Sequence, residues 1–296
     1  MLYKKSAFEV IFDYCNYIFV LLLSCTMVYP FFNTFAISVA TADEAPFIGL
    51  ILFPSKVTFD SYKKVLSQQF MFNAYANTIF RTAVGTVLST FLCFSVAYVL
   101  SKKKLPYRNI ITIFFLFTMF FSGGLIPFYI LMRSIKLINS LWALIIPSLY
   151  SVWNIVIMRN YISTIPEEME EAAVVDGAHP LYIIFMIMLP LSLPIVATVS
   201  LWNAVGHWNA WFDAMIYITD GKKQVLQMIL RKIVIMEEMR HLIPEMDAAL
   251  TSQGVQYTEL TVKAATIMLT IGPIIAAYPF AQKYFVKGIL IGSLKG

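Results

Sequence analysis

Six stretches of this sequence are each long and apolar enough to cross a lipid bilayer, and they restrict what the chain can fold into. A membrane-spanning helix needs about 20 predominantly apolar residues. The stretches are Phe12–Ser38, Tyr75–Leu100, Asn109–Met132, Leu141–Tyr161, Met186–Ile218 and Leu260–Phe285. The predicted fold is therefore an all-α, polytopic membrane helix bundle with about six transmembrane helices, formed as a single domain over residues 1–296.

Composition and motifs exclude several other classes of protein. Hydrophobic residues make up 59% of the chain and charged residues 13%, whereas soluble domains are about 25% charged. The net charge of +5 is not gathered into the basic stripe that a nucleic-acid-binding protein needs. Cys15, Cys25 and Cys93 lack the spacing of a disulfide framework or a metal site. The sequence contains no ATP-binding G-x-x-x-x-G-K-[ST] loop, so we predict that the chain is not an enzyme.

The basic residues predict an orientation in the membrane. Residues 102–108, between the second and third stretches, include four basic residues and no acid, and cytoplasmic loops are rich in lysine and arginine. Together with lysines near both ends of the chain, this loop predicts that the N-terminus and the C-terminus are both cytoplasmic. The segments at about 39–74 and 219–259 are then outside, and the connection at about 162–190 is inside.

The connection at 162–190 has the features of a short helix. Pro166 suits a first helical turn, and three of the next four residues are glutamates, which favour the positive end of a helix. Gly177 predicts the end of this helix. Ala172 and Ala173 are small enough for another surface to approach closely. These properties fit a docking helix and a capped connector without a partner equally well.

Several motifs resemble those of one protein family. Glu171-Ala172-Ala173, Asp176-Gly177-Ala178 and Leu189-Pro190 resemble the EAA loop of permease subunits in ATP-driven (ABC) importers. The segments that resemble oligosaccharide permeases of the LplC/YtcP type are Phe121-Ser122-Gly123-Gly124-Leu125-Ile126-Pro127, Val205-Gly206-His207-Trp208-Asn209-Ala210-Trp211-Phe212 and Gln282-Lys283-Tyr284-Phe285-Val286-Lys287-Gly288. The resemblance extends over nearly the whole chain, with the motifs in the expected order.

The resemblance implies a multi-pass permease of the cell membrane that forms half of the translocation pore of a carbohydrate importer, with oligosaccharides as the expected substrates. Its expected partners are a second homologous permease subunit, two ATPase subunits that use ATP and Mg, and an extracellular solute-binding protein. The chain itself is expected to bind no cofactor and no metal. The EAA loop would couple the permease to the ATPase through Glu170, Glu171, Ala172, Ala173, Asp176, Gly177 and Ala178.

Aromatic and polar residues near the end of the fifth stretch are candidates for a sugar path. Aromatic faces stack on sugar rings, and polar groups within a membrane segment usually face the bundle interior or water. The candidates are Asn203, His207, Trp208, Asn209 and Trp211. At helical spacing Trp208 and Trp211 should lie near one face. An equally weighted alternative is that the tryptophans anchor the helix at the membrane interface, and a packing role is favoured for His207.

Other functions remain as alternatives. A secondary transporter driven by an ion gradient would carry ionisable groups near the membrane midplane, whereas the acids here lie in loops or near helix ends. A non-transporting scaffold would not need the EAA-like helix. An ABC permease for a solute other than sugar also fits. Glycines and prolines within the stretches, such as Gly123-Gly124, Pro190 and Pro194, fit ordinary kinks or flexing points.

Residues 224–239 show a helix-like pattern of apolar and charged residues. We predict an amphipathic helix there, either on the bundle, where it could face a binding protein, or on the membrane surface.

Overall fold

The computed structural model describes residues 6–242 and 258–293, and this part of the chain is predominantly helical and contains no β-strand. The helices of the first half are α1 (Ala7–Ser38), α2 (Asp60–Leu66), α3 (Gln69–Ser101), α4 (Arg108–Phe120), α5 (Leu125–Ser134) and α6 (Val152–Ile162). Those of the second half are α7 (Glu168–Val175), α8 (Pro180–Tyr182), α9 (Leu189–Leu191), α10 (Leu193–Asn209), α11 (Phe212–Tyr217), α12 (Leu226–Leu242) and α13 (Glu259–Ser293). The predicted all-helical class is confirmed for this part of the chain.

The chain divides into two compact units. The first contains the described residues up to Gln68 and those from Lys232 to Ile271, and the second contains Gln69–Arg231 and the described residues from Gly272. Within the first unit, the Ser61 hydroxyl donates a hydrogen bond to Thr261 Oγ1 at 2.8 Å. The second unit carries both groups of candidate site residues. That the whole of residues 1–296 forms one domain stays a prediction.

In the described part of the chain, three helices are long and apolar enough to cross a membrane: α1, α3 and the Glu259–Ala276 part of α13. Three further pairs of helical segments reach that length only together, and each pair is bent. The bends are 109° between α4 and α5, 47° between Leu141–Ser148 and α6, and 84° between Pro180–Leu191 and α10. By length and composition, residues 6–242 and 258–293 therefore contain three spans, or up to six if each bent pair is one span.

The third, fourth and fifth predicted stretches are not continuous helices, and glycine and proline are the physical reason. α4 and α5 are separated where Gly124 adopts a φ of 84°, a conformation open to glycine but strained for other residues. Pro147 lies in a short 3₁₀ turn before α6. Ser192 lies between Pro190 and Pro194, each of which lacks an amide hydrogen for the helical ladder.

A hydrophobic cluster joins α3, α6 and the segment that follows α7. Its buried members include Cys93, Phe94 and Ala97 of α3, Ile155 and Met158 of α6, and Ile183, Met188 and Val199. Residues Ile183–Met188 form a π-helix between α8 and α9, a rare conformation that is frequent at functional sites. This cluster supports α7 and fixes its position against the end of α3.

The two predicted outer segments contain helices. Residues 39–74 include α2 and the first turns of α3, which begins at Gln69 rather than at the predicted Tyr75. The helix predicted for residues 224–239 is confirmed as α12. Residues 243–257 of the other outer segment lie outside the described part of the chain.

Candidate functional site

The helix predicted in the 162–190 connection is α7. Glu168, Glu170 and Glu171 occupy its first turn, where their charge favours the positive end of the helix. At the other end Gly177 adopts a φ of 75°. Its amide donates to the Val174 carbonyl at 3.0 Å, and the Ala178 amide donates to the Ala173 carbonyl at 2.9 Å. These two hydrogen bonds form a Schellman motif, which confirms the predicted helix end at Gly177.

Glu170 fastens α7 to the end of α3. The Tyr98 hydroxyl donates a hydrogen bond to Glu170 Oε1 at 2.7 Å, and Lys102 forms an ion pair with Glu170 Oε2. The Lys102 ammonium also lies 4.2 Å from the centroid of the Tyr98 ring, within the range of a cation–π interaction. Glu170 is therefore committed to contacts inside this chain.

A second, more exposed ion pair joins α7 to the same basic loop. Lys103 Nζ lies 2.9 Å from Glu167 Oε1. The hydrogen bond and the positive charge of Lys103 hold the pKa of Glu167 below its ordinary value. The basic residues that predicted the orientation of the chain thus also neutralise two acids of the α7 region.

The two sides of α7 differ in what they contact. Ala173 and Ala178 pack against the hydrophobic cluster of α3 and α6. Val174 and Val175 are 58% and 86% exposed, and other exposed residues beside them are Met169, Glu171, Ala172, Asp176 and Gly177. We call this set, Met169 to Gly177 without Glu170 and Ala173, the α7 outer surface. It is apolar with acidic residues at its edge, which suits docking onto another protein.

Asn203 lies in a polar network between helices. Its side-chain carbonyl accepts a hydrogen bond from Asn154 Nδ2 at 2.9 Å, and its own Nδ2 donates to Thr90 Oγ1 at 3.1 Å. The Ser200 hydroxyl donates to the same Thr90 oxygen at 3.3 Å. Because these residues belong to α3, α6 and α10, Asn203 holds three helices together.

His207 and Trp208 are both buried. The His207 ring lies against Gly85 of α3 and hydrogen-bonds to its backbone. A Cβ atom added to Gly85 would lie 2.5 Å from His207 Nε2, so only glycine permits this approach of the two helices. The structure therefore gives His207 the packing role that its sequence context favours.

Trp211 is not on the same helix as Trp208, and the prediction that the two share a face is wrong. α10 ends at Asn209, Ala210 is extended, and Trp211 precedes α11. The Arg231 guanidinium lies 3.6 Å from the centroid of the Trp211 ring. Asn209 is exposed and accepts a hydrogen bond from Gln227 Nε2 at 3.3 Å. The candidate path residues thus separate into an interior group and a more exposed group.

The break between α10 and α11 is held by a buried arginine that the sequence analysis did not single out. Arg81 of α3 is 2% exposed and forms an ion pair with Asp213. Its other terminal nitrogen donates to the Ala210 carbonyl at 3.0 Å. The available signal was an arginine inside an apolar stretch, since such a residue almost always has a partner in the bundle interior.

No three His, Cys, Asp or Glu side chains of the described residues lie close enough together to hold a metal ion. Cys15 and Cys25 are exposed and Cys93 is buried, and none of them forms a disulfide.

Comparison with known proteins decides the family. The model of the family of inner membrane components of binding-protein-dependent transport systems matches residues 70–291, which include α7 and all the candidate path residues. The chain belongs to this permease family. The resemblance seen in the motifs is thereby confirmed, and the permease is a multi-pass protein of the inner membrane. The family is a membrane component of ABC importers and is not itself catalytic.

The permease resembles known proteins over nearly its whole length. It is 38% identical to protein LplC of Bacillus subtilis (strain 168), over 97% of this chain and 95% of LplC. It is also 38% identical to the polygalacturonan/rhamnogalacturonan transport system permease protein YtcP of the same organism, over 97% of this chain and 99% of YtcP. A solved structure, that of a bacterial ABC transporter involved in the import of the acidic polysaccharide alginate, contains a chain with a TM-score of 0.85 and 33% identity. That match covers 95% of the permease and 99% of the other chain.

Proposed function

We propose that this permease is one of two homologous membrane subunits that together form the pore of an ATP-driven oligosaccharide importer. The observation that carries the proposal is the full-length likeness to a chain of the alginate importer, at 33% identity and a TM-score of 0.85. The likeness to YtcP, whose name specifies polygalacturonan and rhamnogalacturonan transport, supports the same class of substrate. Both names specify polymers that contain acidic sugars, so oligosaccharides with carboxylate groups are the first substrates to test.

In the proposed complex the chain crosses the membrane six times, with both termini in the cytoplasm. Two ATPase subunits bind ATP and Mg on the cytoplasmic side, and an external binding protein delivers the sugar. The 162–190 connection is then cytoplasmic, and the basic loop at 102–108 lies on the same side.

The α7 outer surface docks onto an ATPase subunit in this proposal. Docking drives transport only if it favours one conformation of the permease over another. Two features support this role. Glu170 and the packing of Ala173 make α7 move together with α3 and α6, and Glu171 and Asp176 remain exposed for basic groups of a partner. Of the EAA-loop residues, Glu170 and Ala173 therefore hold the helix, whereas Glu171 faces the partner.

The candidate path residues have two different roles in the proposed importer. Asn203 and His207 set the spacing of the helices that surround the path, because Asn203 binds residues of α3 and α6 and His207 packs against α3. Trp208 is buried. Asn209 is exposed and Trp211 is half-buried, and these two are the ones we expect to meet sugar.

The test is substrate-stimulated ATP hydrolysis by the purified complex with its binding protein. The panel contains oligogalacturonate, an alginate oligosaccharide, a neutral malto-oligosaccharide and a short peptide. We expect stimulation by at least one saccharide and none by the peptide. Stimulation by the peptide, with none by any saccharide, would overturn the substrate class while leaving the ATP-driven mechanism intact.

A further inference from the structure

A pocket lies between the beginning of α4 and the end of α6. Its volume is about 340 Å³. Its lining residues are Arg108, Asn109, Thr112 and Ile113 of α4 and Arg159 of α6. No residue of the candidate coupling helix or of the candidate sugar path lines this pocket. The pocket is therefore separate from both candidate sites.

The charge of the pocket is positive and uncompensated. Arg159 Nε is buried and has no hydrogen-bond partner, and no acid of the described residues forms an ion pair with either arginine. Two acids of the α7 region are already paired with the basic loop, Glu170 with Lys102 and Glu167 with Lys103. A buried N–H group without an acceptor is unfavourable, and an anion in the pocket would supply the acceptor that Arg159 Nε lacks.

The backbone of α4 adds to the positive potential. α4 begins at Arg108, and the preceding residue, Tyr107, supplies no side-chain hydrogen bond to the free amides of the first turn. The N-terminus of a helix of 13 residues is a favourable place for an anion, because these amides and the helix dipole both attract negative charge. Arg108 is held in place here, since its Nε donates to the Leu100 carbonyl at 2.9 Å.

The surface beside the pocket is strongly apolar. Ile113, which lines the pocket, is 65% exposed, and its neighbours Ile110 and Phe114 are each 66% exposed. α4 has no buried residue at all within the described part of the chain. An occupant therefore has to meet two requirements. It has to place an anionic group beside the two arginines, and it has to place hydrocarbon along the exposed face of α4. A free anion or a soluble acidic peptide meets only the first requirement.

We propose that this pocket binds the phosphate of an anionic phospholipid, with its acyl chains against Ile110 and Phe114. Basic pockets between transmembrane helices are recognised sites for anionic headgroups on the cytoplasmic side, and the basic loop at 102–108 ends at Arg108, which lines this pocket. Arg159 donates from its unpartnered Nε, and the first-turn amides of α4 donate to the phosphate from the other side. The bound lipid clamps the beginning of α4 to α6, close to the loop that holds α7.

The experiment is lipid binding to the complete transporter in detergent, followed by native mass spectrometry. The probes are dioleoylphosphatidylglycerol, dioleoylphosphatidylcholine and inorganic phosphate. The test variant is Arg159→Gln, and Lys104→Gln is the matched control, because it removes one positive charge from the exposed part of the neighbouring loop. Arg159→Lys keeps the charge but loses the planar fork. Thermal unfolding in phosphatidylcholine alone checks that each variant is folded.

We expect the wild-type complex to retain phosphatidylglycerol in preference to phosphatidylcholine. Arg159→Gln should weaken that binding about tenfold, which is the effect of losing one charge-assisted hydrogen bond, and Lys104→Gln should not. Arg159→Lys should lie between them. Equal weakening by both glutamine variants would mean general surface attraction and would overturn the proposal. So would competition by equimolar inorganic phosphate, or the absence of lipid from the assembled complex, which would mean that a partner protein fills the pocket.

Discussion

Gly177 offers a prediction in which strain can be separated from steric clash. Its φ of 75° is unfavourable for residues with a side chain, whereas a Cβ atom there would meet no atom within 4 Å. Gly177→Ala therefore costs only the conformational penalty, about 1–2 kcal/mol. Gly177→Asn should cost less, because asparagine enters this region more readily. The strain falls on the two hydrogen bonds that close α7, so they should open more often.

The measurement is hydrogen exchange of the Gly177 and Ala178 amides in the purified complex. A penalty of one to two kcal/mol raises the open population about 5- to 30-fold, and exchange should accelerate by that factor in the alanine variant. The acceleration in the asparagine variant should be smaller. Gly221→Ala is the control, since Gly221 has open space around it and no positive φ. If ATP-driven uptake depends on α7, it should fall in the same order, with alanine the poorest.

Two results would refute this reasoning. Unchanged exchange in Gly177→Ala would mean that the cap hydrogen bonds do not govern the end of α7. Equal exchange in the alanine and asparagine variants would mean that the backbone conformation is not the cause.

Further predictions concern the helix contacts and the basic loop. Gly85→Ala should destabilise the complex by about 1–3 kcal/mol in detergent, because the added Cβ overlaps the ring of His207. Adding His207→Ala to the same chain should restore most of the lost stability. Arg81→Ala should cost about 1–3 kcal/mol, because it removes the partner of Asp213, whose side chain is partly exposed. A thermal midpoint equal to that of the wild type would contradict this. Lys103→Ala should raise the pKa of Glu167 toward its ordinary value in an NMR titration. Since the pKa of Glu167 is lowered in the folded protein, the pair of Glu167 and Lys103 stabilises the protein at pH values above the ordinary pKa of glutamate. That stabilisation is lost as the pH falls through the lowered pKa of Glu167. An unchanged Glu167 titration in Lys103→Ala would refute the assignment.

Local signals predicted the parts of this protein that local physics determines. The length of the apolar stretches predicted helices, and the glutamates and Gly177 predicted both ends of α7, because capping depends on residues within one turn of the chain. The motifs predicted the family for the same reason, since each is a short run of adjacent residues.

The breaks between helical segments were harder to predict, because they depend on contacts with residues that are distant in the sequence. Hydropathy counts apolar residues and cannot detect that the fifth stretch bends by 84° at Ser192. The separation of Trp211 from α10 depends on Arg81, which lies 129 residues before the Ala210 carbonyl that it binds. The engagement of Glu170 with Tyr98 similarly spans 72 residues. The sequence marked Glu170 and Glu171 alike, and only the fold distinguishes the one that holds the helix from the one that is exposed.

The gap between α4 and α5 has a consequence for how this protein is made. Residues 121–124 are exposed on the chain, and the amides of Ser122 to Gly124 form no hydrogen bond with the described residues. Hydrocarbon cannot supply acceptors for such groups, so irregular backbone is tolerated at membrane depth only beside protein or water. A newly inserted copy that has not met a covering neighbour is therefore incomplete at this point. The insertion of this chain is complete only once water or a neighbouring protein meets the free amides of the gap.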